Sequence, residues 1–380
     1  MAAAQTLQPA SVPSVHNIPI SGASTNVGSL AKALQGTETI PEVFLLPESE
    51  RVTVPHDGYS EQVSLPVVDL GELLLPECSE ESRKRIAREV AEASSEWGFF
   101  QVAGHGIPLE LLERVRTQGR AFFSLPAEDK EKASLGLFQG YEGRHGFIPT
   151  RVPWSETFTL LIAPTSNVVP IVEKLWPDGN SELSSTIMDY GNELHCLGVK
   201  ILELLAESLD LDQDFFSKNF KSKHSAGMRM NFYPPCPQPS MALGLGAHAD
   251  PNCLTMLYQD EVGGLQIQKD DKWIAVKPDV DSLVLNIGDS LQAWSNGRFR
   301  SVQHRAVVNG NNARLSVAFF YSPDDSVSME VPAQLVDEAH PLLYRPFTWA
   351  EYLQQIRTKR MRGKGGLDTF MKISDESKTD

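Results

Sequence analysis

Cysteine is scarce in this chain of 380 residues, which contains only Cys78, Cys196, Cys236 and Cys253. The four are scattered along the sequence, and no two of them form a CxxC pair. This spacing argues against a disulfide scaffold and against a structural zinc knuckle, because both need clustered cysteines. A chain without a disulfide pattern is typical of a reducing compartment, and we therefore predict a cytoplasmic location.

Long apolar runs and an excess of positive charge are also missing. No stretch approaches the roughly 18 apolar residues of a membrane-spanning helix. Lys and Arg number 34 against 49 Asp and Glu, which gives a net charge of −15. Such an acidic chain is poorly suited to bind nucleic acid or an anionic membrane surface. We therefore expect neither partner, and we expect a monomer that acts on small molecules.

The first 40 residues differ in composition from the rest of the chain. They are nearly uncharged and rich in Ala, Ser, Thr, Gly and Pro, with no arginine and no apolar core of a signal peptide. This composition predicts a flexible N-terminal extension over 1–40. The chain as a whole has 41% hydrophobic and 22% charged residues, which is typical of a folded globular protein.

Hydrophobic spacing divides the remaining chain into a helical half and a β-rich half. Helical periodicity predicts an α-rich domain over 41–222. Short β-rich runs separated by Gly, Asp, Asn and Pro predict a sandwich or barrel over 223–347, followed by a C-terminal helix and tail over 348–380. The fold class is therefore α+β with a mainly β core. The two halves can share this core, in which case no clean linker separates them near 225. The helices of the first half are expected at 80–97, 109–123 and 184–209, the last of them capped by Ser184 or Ser185.

His248 and Asp250 form the first candidate site, in the sequence His-Ala-Asp. On a β-strand, residues i and i+2 project to the same face, so the imidazole and the carboxylate would lie together. A third ligand is available in His304, on a strand expected over 299–308. Two histidines and one carboxylate match the facial triad of non-haem Fe(II) oxygenases, which leaves coordination positions open for other ligands. The same set can also bind catalytic zinc, so the metal stays open at this point.

Arg314 and Ser316 form a second candidate site after His304. Both would project from one face of a strand, where the arginine fork can bind a carboxylate and the serine can add a hydrogen bond. The neighbouring Val317 and Phe319 predict burial, and a buried guanidinium without a partner is costly. Its partner is therefore either an acidic side chain of the protein or an anionic ligand.

Asn231 and Tyr233 share one face of a strand that leads into the turn Pro-Pro-Cys-Pro. If that strand enters the barrel, the Tyr233 hydroxyl can donate to a carboxylate of a ligand. A core tyrosine at a strand end is an equally good interpretation of Tyr233 taken alone.

These motifs follow one another in a fixed order. After Asn-x-Tyr-Pro-Pro-Cys and His-x-Asp come Gly-Gly-Leu-Gln at 263–266, Asn-Ile-Gly-Asp at 286–289, Ser-Asn-Gly at 295–297, His-Arg-Ala-Val at 304–307 and Arg-x-Ser at 314–316. The N-terminal half adds Leu-Pro-Val-Val-Asp-Leu at 65–70 and Trp-Gly-Phe-Phe-Gln-Val-x-Gly-His-Gly-Ile-Pro at 97–108. Taken together, residues 40–373 resemble the plant 2-oxoglutarate- and Fe(II)-dependent dioxygenases.

The resemblance implies a double-stranded β-helix, or jelly-roll, core with an α-rich N-terminal region and a C-terminal helix. It implies an enzyme in which O₂ oxidises 2-oxoglutarate to succinate and CO₂ while a small plant metabolite is hydroxylated or oxidised. Ascorbate is the expected reductant of the iron. The implied site residues are His248, Asp250 and His304 for iron and catalysis, and Arg314, Ser316, Tyr233 and Asn231 for 2-oxoglutarate.

Three further segments bear on the substrate. Residues 153–157 resemble a segment of gibberellin oxidases, residues 344–352 resemble gibberellin 2-oxidases, and residues 248–255 resemble gibberellin 20-oxidases. We therefore expect a gibberellin-type diterpenoid acid, with a flavonoid or another phenolic compound as the alternative. The basic residues that could meet the carboxylate of such an acid, or equally be solvated surface charges, are Arg144, Arg151 and Arg229.

Two other classes of function stay open on the residues alone. A zinc hydrolase could use the same three ligands, although the chain has no His-Glu-x-x-His helix to supply a general base. A non-catalytic binding protein could keep the barrel, although it would not need intact metal ligands and an intact Arg-x-Ser. His105, His145 and His195 are not expected at the site, since the first lies in a Gly-His-Gly turn and the last on a helix.

Overall fold

Helices form one layer of the molecule. The structure is a computed structural model, and it describes residues 26–60, 63–135, 139–143, 152–162, 168–176, 178–220, 226–361 and 367–373. Within these ranges no helix is both long enough and apolar enough to cross a lipid bilayer. The nine α-helices of the described residues are α1 (Val27–Ala33), α2 (Glu80–Glu96), α3 (Leu109–Ser124), α4 (Ala127–Glu131), α5 (Val169–Leu175), α6 (Ser181–Ser208), α7 (Asp289–Trp294), α8 (Trp349–Met361) and α9 (Asp368–Met371).

All three helices predicted for the N-terminal half are present, as α2, α3 and α6. The start of α6 differs from the prediction, because Asn180 caps the helix and its side chain accepts a hydrogen bond from the Leu183 N–H at 3.0 Å. The expected caps Ser184 and Ser185 lie inside the helix. The prediction of the cap is therefore wrong, while the helix itself is confirmed.

Strands build the rest of the core, and most of them follow the predicted β-rich runs. The strand expected over 299–308 is shorter than predicted, because pairing begins only at His304. The fourteen strands of the described residues are β1 (Val67–Asp69), β2 (Phe99–Ala103), β3 (Gly140–Glu142), β4 (Glu156–Leu161), β5 (Gly227–Tyr233), β6 (Leu243–His248), β7 (Leu254–Gln259), β8 (Leu265–Lys269), β9 (Lys272–Ala275), β10 (Leu283–Ile287), β11 (His304–Val307), β12 (Arg314–Tyr321), β13 (Ser328–Met329) and β14 (Phe347–Thr348).

Two sheets pack face to face to form the barrel. The larger sheet has eight strands in the order β1-β2-β10-β7-β12-β5-β4-β3, and the smaller has four in the order β6-β11-β8-β9. One face of the larger sheet packs against α2, α3 and α6 in the main hydrophobic cluster. Its other face meets the smaller sheet, where Phe99 and Val284 cluster with Leu265 and Ile267. This arrangement confirms the predicted α+β fold with a jelly-roll core.

Strands from both halves of the chain lie in the larger sheet. From the first half, β2 pairs with β10 and β4 pairs with β5, so that β1–β4 extend both sides of the strands from the second half. The two halves therefore share one sheet and one hydrophobic core, as the sequence suggested. The domain boundaries near 222 and 347 stay predictions.

The flexible extension predicted over 1–40 is wrong for residues 26–40. Helix α1 is capped by the Asn26 side chain, and its Leu30 and the following Leu34 are buried against the barrel. The low charge of this segment reflects an apolar packing surface rather than flexibility. The first 25 residues lie outside the described part of the chain.

A buried ion pair between Lys130 and Glu156 lies beside α1. Lys130 Nζ is 2.8 Å from Glu156 Oε1, and the side chains are only 4% and 1% exposed. The Tyr141 hydroxyl also donates to Glu156, and Asn26 Nδ2 donates to the Tyr141 oxygen at 2.5 Å. A Cβ at Gly28 would lie 2.5 Å from Glu156 Oε2, so a larger residue at this position would have to displace the Glu156 carboxylate from its buried contacts. These contacts fasten α1 to β4.

Candidate metal centre

The register of two strands places His248 and His304 side by side. β6 ends at His248 and β11 begins at His304, and the two residues are directly opposite each other in this antiparallel pair. Their ring centroids are 4.2 Å apart. Asp250 lies beyond the end of β6, so the expected alignment by alternation along one strand is wrong. The chain after β6 brings the carboxylate to the histidines instead.

One carboxylate oxygen of Asp250 faces both imidazoles. Oδ1 lies 3.5 Å from His248 Nε2 and 3.7 Å from His304 Nε2. One ligand atom from each of the three residues lies within 4.8 Å of the other two. Among the described residues, this is the one group of at least three His, Cys, Asp or Glu side chains that could hold a metal ion. This set of two histidines and one carboxylate fits the donor set that binds non-haem Fe(II).

Two hydrogen bonds to the other oxygen orient the Asp250 carboxylate. Oδ2 accepts from Thr255 Oγ1 at 2.6 Å and from Asn286 Nδ2 at 3.0 Å, and all three residues are buried. Burial alone would raise the pKa of the Asp250 carboxyl, but His304, His248 and the Thr255 hydroxyl hold this pKa well below its usual range. The carboxylate is therefore ionised at neutral pH, and its Oδ1 is directed towards the histidines.

Backbone carbonyl groups orient the two imidazoles. His248 Nδ1 lies 2.8 Å from the Gly246 oxygen, and His304 Nδ1 lies 3.3 Å from the Val302 oxygen. A proton on each Nδ1 would leave both Nε2 atoms free to bind a metal, as neutral imidazole ligands do. Burial and the neighbouring His248 lower the pKa of His304 to about 4, so this ring is neutral at pH 7.

Arg314 lies deep in the barrel and has an unsatisfied donor. It is directly opposite Tyr233 in the pair β12–β5, it is 3% exposed, and its guanidinium lies 5.1 Å from the centre of the Tyr233 ring. Its Nη2 donates to Gln259 Oε1 at 3.0 Å, whereas its buried Nε has no hydrogen-bond partner. Gln259 Nε2 is also buried without an acceptor. Buried N–H groups of this kind need an acceptor, such as a water molecule or an anion.

An internal salt bridge does not explain the burial of Arg314. Among the described residues, no carboxylate oxygen lies within 4.0 Å of a nitrogen of the Arg314 guanidinium, the largest distance at which the two would form an ion pair. The buried carboxylate of Asp260 instead accepts from the Leu315 N–H at 2.6 Å and from Arg120 Nη2 at 3.2 Å. Of the two partners left open by the sequence, an anionic ligand therefore fits better.

The metal centre and the arginine lie at two levels of one sheet face. Ser316 is opposite both Asn231 on β5 and Gln259 on β7, and Asn231 Nδ2 is 3.5 Å from Ser316 Oγ. Thr255, which orients the metal-site carboxylate, lies on the same face of β7, about 13 Å along the strand from Gln259. A five-carbon dicarboxylate together with the side chains that hold its two ends can span this distance.

Three of the residues at these positions are not among the predicted site residues. Thr255 and Gln259 are single polar residues within the apolar strand β7, and a polar side chain at a buried position is the signal that could have found them. Asn286 opens the Asn-Ile-Gly-Asp motif, which pointed to the family without showing the role of its first residue.

His105 and His195, which the sequence analysis does not expect at the site, lie away from the metal centre. His195 Nδ1 is 2.8 Å from the Tyr321 hydroxyl, and His105 Nδ1 accepts from the Ile107 N–H at 3.0 Å within its own turn. Both positions are consistent with structural roles. Three residues named in the sequence analysis, His145, Arg144 and Arg151, lie outside the described part of the chain.

Two family models match this chain. The 2OG-Fe(II) oxygenase superfamily matches residues 224–323, the stretch that contains every residue predicted to bind the metal or 2-oxoglutarate. The family described as non-haem dioxygenase in morphine synthesis N-terminal matches residues 65–179. The two matches therefore fall on the β-rich and the helical halves of the chain respectively.

Individual relatives extend the similarity over most of the chain. Jasmonate-induced oxygenase 4 of Arabidopsis thaliana is 35% identical over 342 residues, which are 88% of this chain and 94% of the relative. Gibberellin 20 oxidase 1-B of Triticum aestivum is 36% identical over 331 residues, which are 85% of this chain and 88% of the relative. The crystal structure of JOX2 in complex with 2OG, Fe and JA is similar with a TM-score of 0.73 and 33% identity, covering 88% of this chain and 94% of JOX2.

The site and the comparisons agree on the cofactors. The two histidines with one carboxylate fit Fe(II), and the unsatisfied guanidinium in the barrel fits the carboxylate of 2-oxoglutarate. Fe(II) and 2-oxoglutarate are therefore the cofactors, and ascorbate is the reductant typical of such enzymes. This assignment decides against the zinc hydrolase and the non-catalytic binding protein that the residues alone left open. The chain belongs to the 2OG-Fe(II) oxygenase superfamily and is a 2-oxoglutarate-dependent dioxygenase.

Proposed function

We propose that His248, Asp250 and His304 hold the iron and that Arg314 and Ser316 bind the distal carboxylate of 2-oxoglutarate. When bound, these groups supply the oxidation of a substrate C–H bond by O₂, with conversion of 2-oxoglutarate to succinate and CO₂. The donor set at the triad and the unsatisfied Nε of Arg314 support this assignment. The chain itself positions the reactants and keeps bulk water away from them.

Tyr233, Asn231 and Gln259 have supporting roles in this proposal. The Tyr233 ring packs against the Arg314 guanidinium and restrains its orientation. Asn231 Nδ2 lies beside the Ser316 hydroxyl, and Gln259 offers the unsatisfied Nε2 as a further donor to the carboxylate. A buried carboxylate with several charge-assisted hydrogen bonds would be bound strongly and in one orientation.

We propose a small carboxylic acid as the substrate, with a gibberellin-type diterpenoid acid as the first candidate. The position of Arg229 in the barrel is the observation that carries this proposal. It is half-buried on the same face of β5 as Asn231, and its Nε donates to Thr159 Oγ1 at 3.1 Å. Because Asn231 is opposite Ser316, Arg229 lies one pairing step nearer to the metal centre than the residues proposed for 2-oxoglutarate. A guanidinium at this level can bind the carboxylate of a molecule lying beside the iron.

The relatives support an acidic substrate without distinguishing between two acids. Three relatives from Triticum aestivum carry the name gibberellin 20 oxidase, which favours the first candidate. A JA-like acid is the second candidate, because the similar JOX2 structure was solved with JA. A flavonoid or another phenolic compound stays the alternative, and such a compound would give Arg229 no carboxylate to bind.

A product screen tests the proposed substrate. The purified protein is supplied with Fe(II), 2-oxoglutarate and ascorbate and is incubated separately with gibberellin precursors, JA and flavonoids. Mass spectrometry should detect a product heavier by one oxygen, or a desaturated one, from an acid. Products from flavonoids alone would overturn the proposal of an acidic substrate while leaving the assigned cofactors untouched.

A charge-removing variant tests the role of Arg229. Arg229→Gln should raise KM for the acid by about 30-fold or more, because the carboxylate loses a partially buried ionic partner worth about 2 kcal/mol or more. The affinity for 2-oxoglutarate should stay the same. Arg85→Gln, which removes an exposed charge on α2, is the matched control. An unchanged KM in Arg229→Gln would remove Arg229 from the substrate site.

The cytoplasmic location and the monomeric state inferred from the sequence stay proposals. Cell fractionation with an epitope-tagged protein checks the first, and light scattering of the purified protein checks the second. A scattering mass twice that of the 42.0 kDa chain would show a dimer instead.

A further inference from the structure

Arg305 is a second buried arginine, on the opposite side of the smaller sheet from the metal centre. It follows His304 on β11, and successive side chains of a strand point to opposite faces. The residue is 5% exposed. Its Nε donates to Gln266 Oε1 at 2.9 Å, and its guanidinium lies 4.1 Å from the centre of the Trp273 ring.

The charge of Arg305 has no acidic partner in the described part of the chain. Its buried Nη2 lacks an acceptor. An arginine guanidinium is positively charged at neutral pH. The Trp273 ring stabilises the face of the guanidinium, but the N–H donors lie in the guanidinium plane and are not satisfied by stacking.

A cavity opens onto this guanidinium. Its volume is about 550 Å³, and it is lined by parts of segments 46–53, 152–153 and 243–247 together with Arg305 and Trp273. We call this cavity the outer pocket. Ligand pockets of small molecules commonly have volumes of about 300–1,000 Å³. None of the metal-site residues lines it. His248 and His304 lie on the barrel side of β6 and β11, and Asp250 lies beyond the end of β6.

The outer pocket combines one buried charge with apolar walls. Leu46, Val152 and Leu243 supply aliphatic surface. The half-exposed Arg51 also lines the pocket, and it is ion-paired with Glu48 at 3.9 Å. Glu50 also lines the pocket, but it makes no ion pair with Arg305 and has an interaction of its own. The chemistry that satisfies all these features is an anion attached to an apolar or aromatic body.

We propose that the outer pocket binds a small organic monocarboxylate, with its carboxylate on Arg305 and its ring or aliphatic body against Trp273 and the apolar wall. This is a binding site separate from the sites of iron, 2-oxoglutarate and substrate. It does not depend on which acid the enzyme oxidises.

The outer pocket is also connected to the metal centre. Gly246 lines the pocket, and its carbonyl oxygen is the atom that lies 2.8 Å from His248 Nδ1. Arg305 and His304 are neighbours on β11. A molecule in the outer pocket therefore contacts the backbone that orients one metal-site histidine and the side chain next to the other.

Benzoate is a suitable probe, with benzamide as its uncharged counterpart of nearly the same shape. The protein is first loaded with Mn(II) and saturating 2-oxoglutarate, so that Arg314 is occupied. Calorimetry should then show saturable binding of benzoate and at least tenfold weaker binding of benzamide, because charge-assisted hydrogen bonds depend on the carboxylate. The absence of saturable benzoate binding would overturn the proposal.

Variants locate the binding. Arg305→Gln should weaken benzoate binding by about tenfold or more, since it removes the charge but keeps a polar side chain of intermediate length. Arg85→Gln, on the surface of α2, should leave it unchanged. Equal affinity in Arg305→Gln and in the unaltered protein would contradict the proposal.

A direct readout removes the dependence on a variant at Arg305, which could fail to fold. The protein is labelled with 5-fluorotryptophan, and the ¹⁹F resonance that is missing in Trp273→Phe is assigned to Trp273. This resonance should shift on addition of benzoate and stay in place on addition of benzamide. Benzoate binding that leaves the Trp273 resonance unmoved would place the ligand elsewhere and overturn the proposal.

Discussion

The hydrogen bond from Thr255 to Asp250 can be removed with almost no change of shape. Thr255→Val replaces the hydroxyl by a methyl group. It deletes the 2.6 Å bond to Asp250 Oδ2 and the 3.0 Å bond that the hydroxyl accepts from Asn252 Nδ2, while the bond from Asn286 to Asp250 stays. The carboxylate then has one orienting partner instead of two. We expect it to rotate more freely, so that Oδ1 is directed less often towards the two histidines.

The size of the effect follows from the charge on the acceptor. A hydrogen bond to a charged group contributes about 1.5–3 kcal/mol. Complete loss of that contribution from the metal-bound state would lower the affinity for the metal by about 10- to 150-fold. Loss of an outer partner of a metal ligand typically costs about 10- to 100-fold in affinity. We therefore expect Thr255→Val to bind the metal between about 10- and 100-fold more weakly.

Titration with Mn(II) measures this loss without oxidation of the metal. The free ion is followed by electron paramagnetic resonance, with 2-oxoglutarate present throughout. Thr186→Val is the matched control, because Thr186 is also fully buried, its hydroxyl has no hydrogen-bond partner, and it lies on α6. This control should bind Mn(II) as the unaltered protein does.

One result would refute the reasoning about Asp250. If Thr255→Val unfolds in urea as a normal cooperative protein and yet binds Mn(II) within about twofold of the unaltered chain, the hydroxyl does not orient the carboxylate. If the control Thr186→Val loses the same affinity, the effect comes from loss of a buried hydroxyl in general rather than from this contact.

Three further predictions concern the anion site, pH and the ion pair beside α1. Arg314→Met should raise KM for 2-oxoglutarate by about 30-fold or more, since a buried charge pair is worth at least about 2 kcal/mol. The rate of succinate formation at varied 2-oxoglutarate measures this KM, and an unchanged value would contradict the proposed carboxylate site at Arg314. Without metal, the pKa of His304 is about 4 in the folded protein and 6.5 in the unfolded chain, so the unfolded chain takes up the proton at a higher pH. The lowered pKa of Asp250 acts in the same direction. Stability in urea with EDTA should therefore be full above pH 6.5 and fall as the pH drops towards 4, and His304→Gln should reduce this dependence. Lys130→Met should lower the free energy of unfolding by about 3–5 kcal/mol, because it leaves the buried Glu156 carboxylate without its cationic partner. Adding Glu156→Leu should recover much of the loss, and equal stability of the single and double variants in urea would argue against that cause.

The sequence predicted the metal-site residue types and the strands of the barrel, because both depend on local patterns. His-x-Asp and His-Arg-Ala-Val each lie at the edge of a β-rich run, and alternation correctly puts Arg314 and Ser316 on one face. The register that sets His248 opposite His304 could not be predicted, since it depends on pairing between segments far apart in the chain. Asp250 shows the same limit, because it reaches the site from beyond its strand.

Other features depend on neighbours that no local pattern reveals. Thr255 and Gln259 are ordinary strand residues until the sheet places Asp250 and Arg314 beside them. Arg305 belongs to a recognised motif, but its burial without an acidic partner is visible only once Trp273 and Gln266 surround it. Helix α1 was predicted as flexible because its packing surface is provided by the barrel rather than by its own composition.

The interleaved order of the larger sheet has a consequence for the catalytic half as an isolated piece. Residues 224–323 contain every residue predicted to bind the metal or 2-oxoglutarate. In the intact protein, however, β10 is hydrogen-bonded to β2 and β5 is hydrogen-bonded to β4. A fragment cut to this half would expose two bare strand edges, each a template for pairing with another copy. The N-terminal strands therefore act as edge protection, and we expect that fragment to aggregate rather than fold into a smaller enzyme.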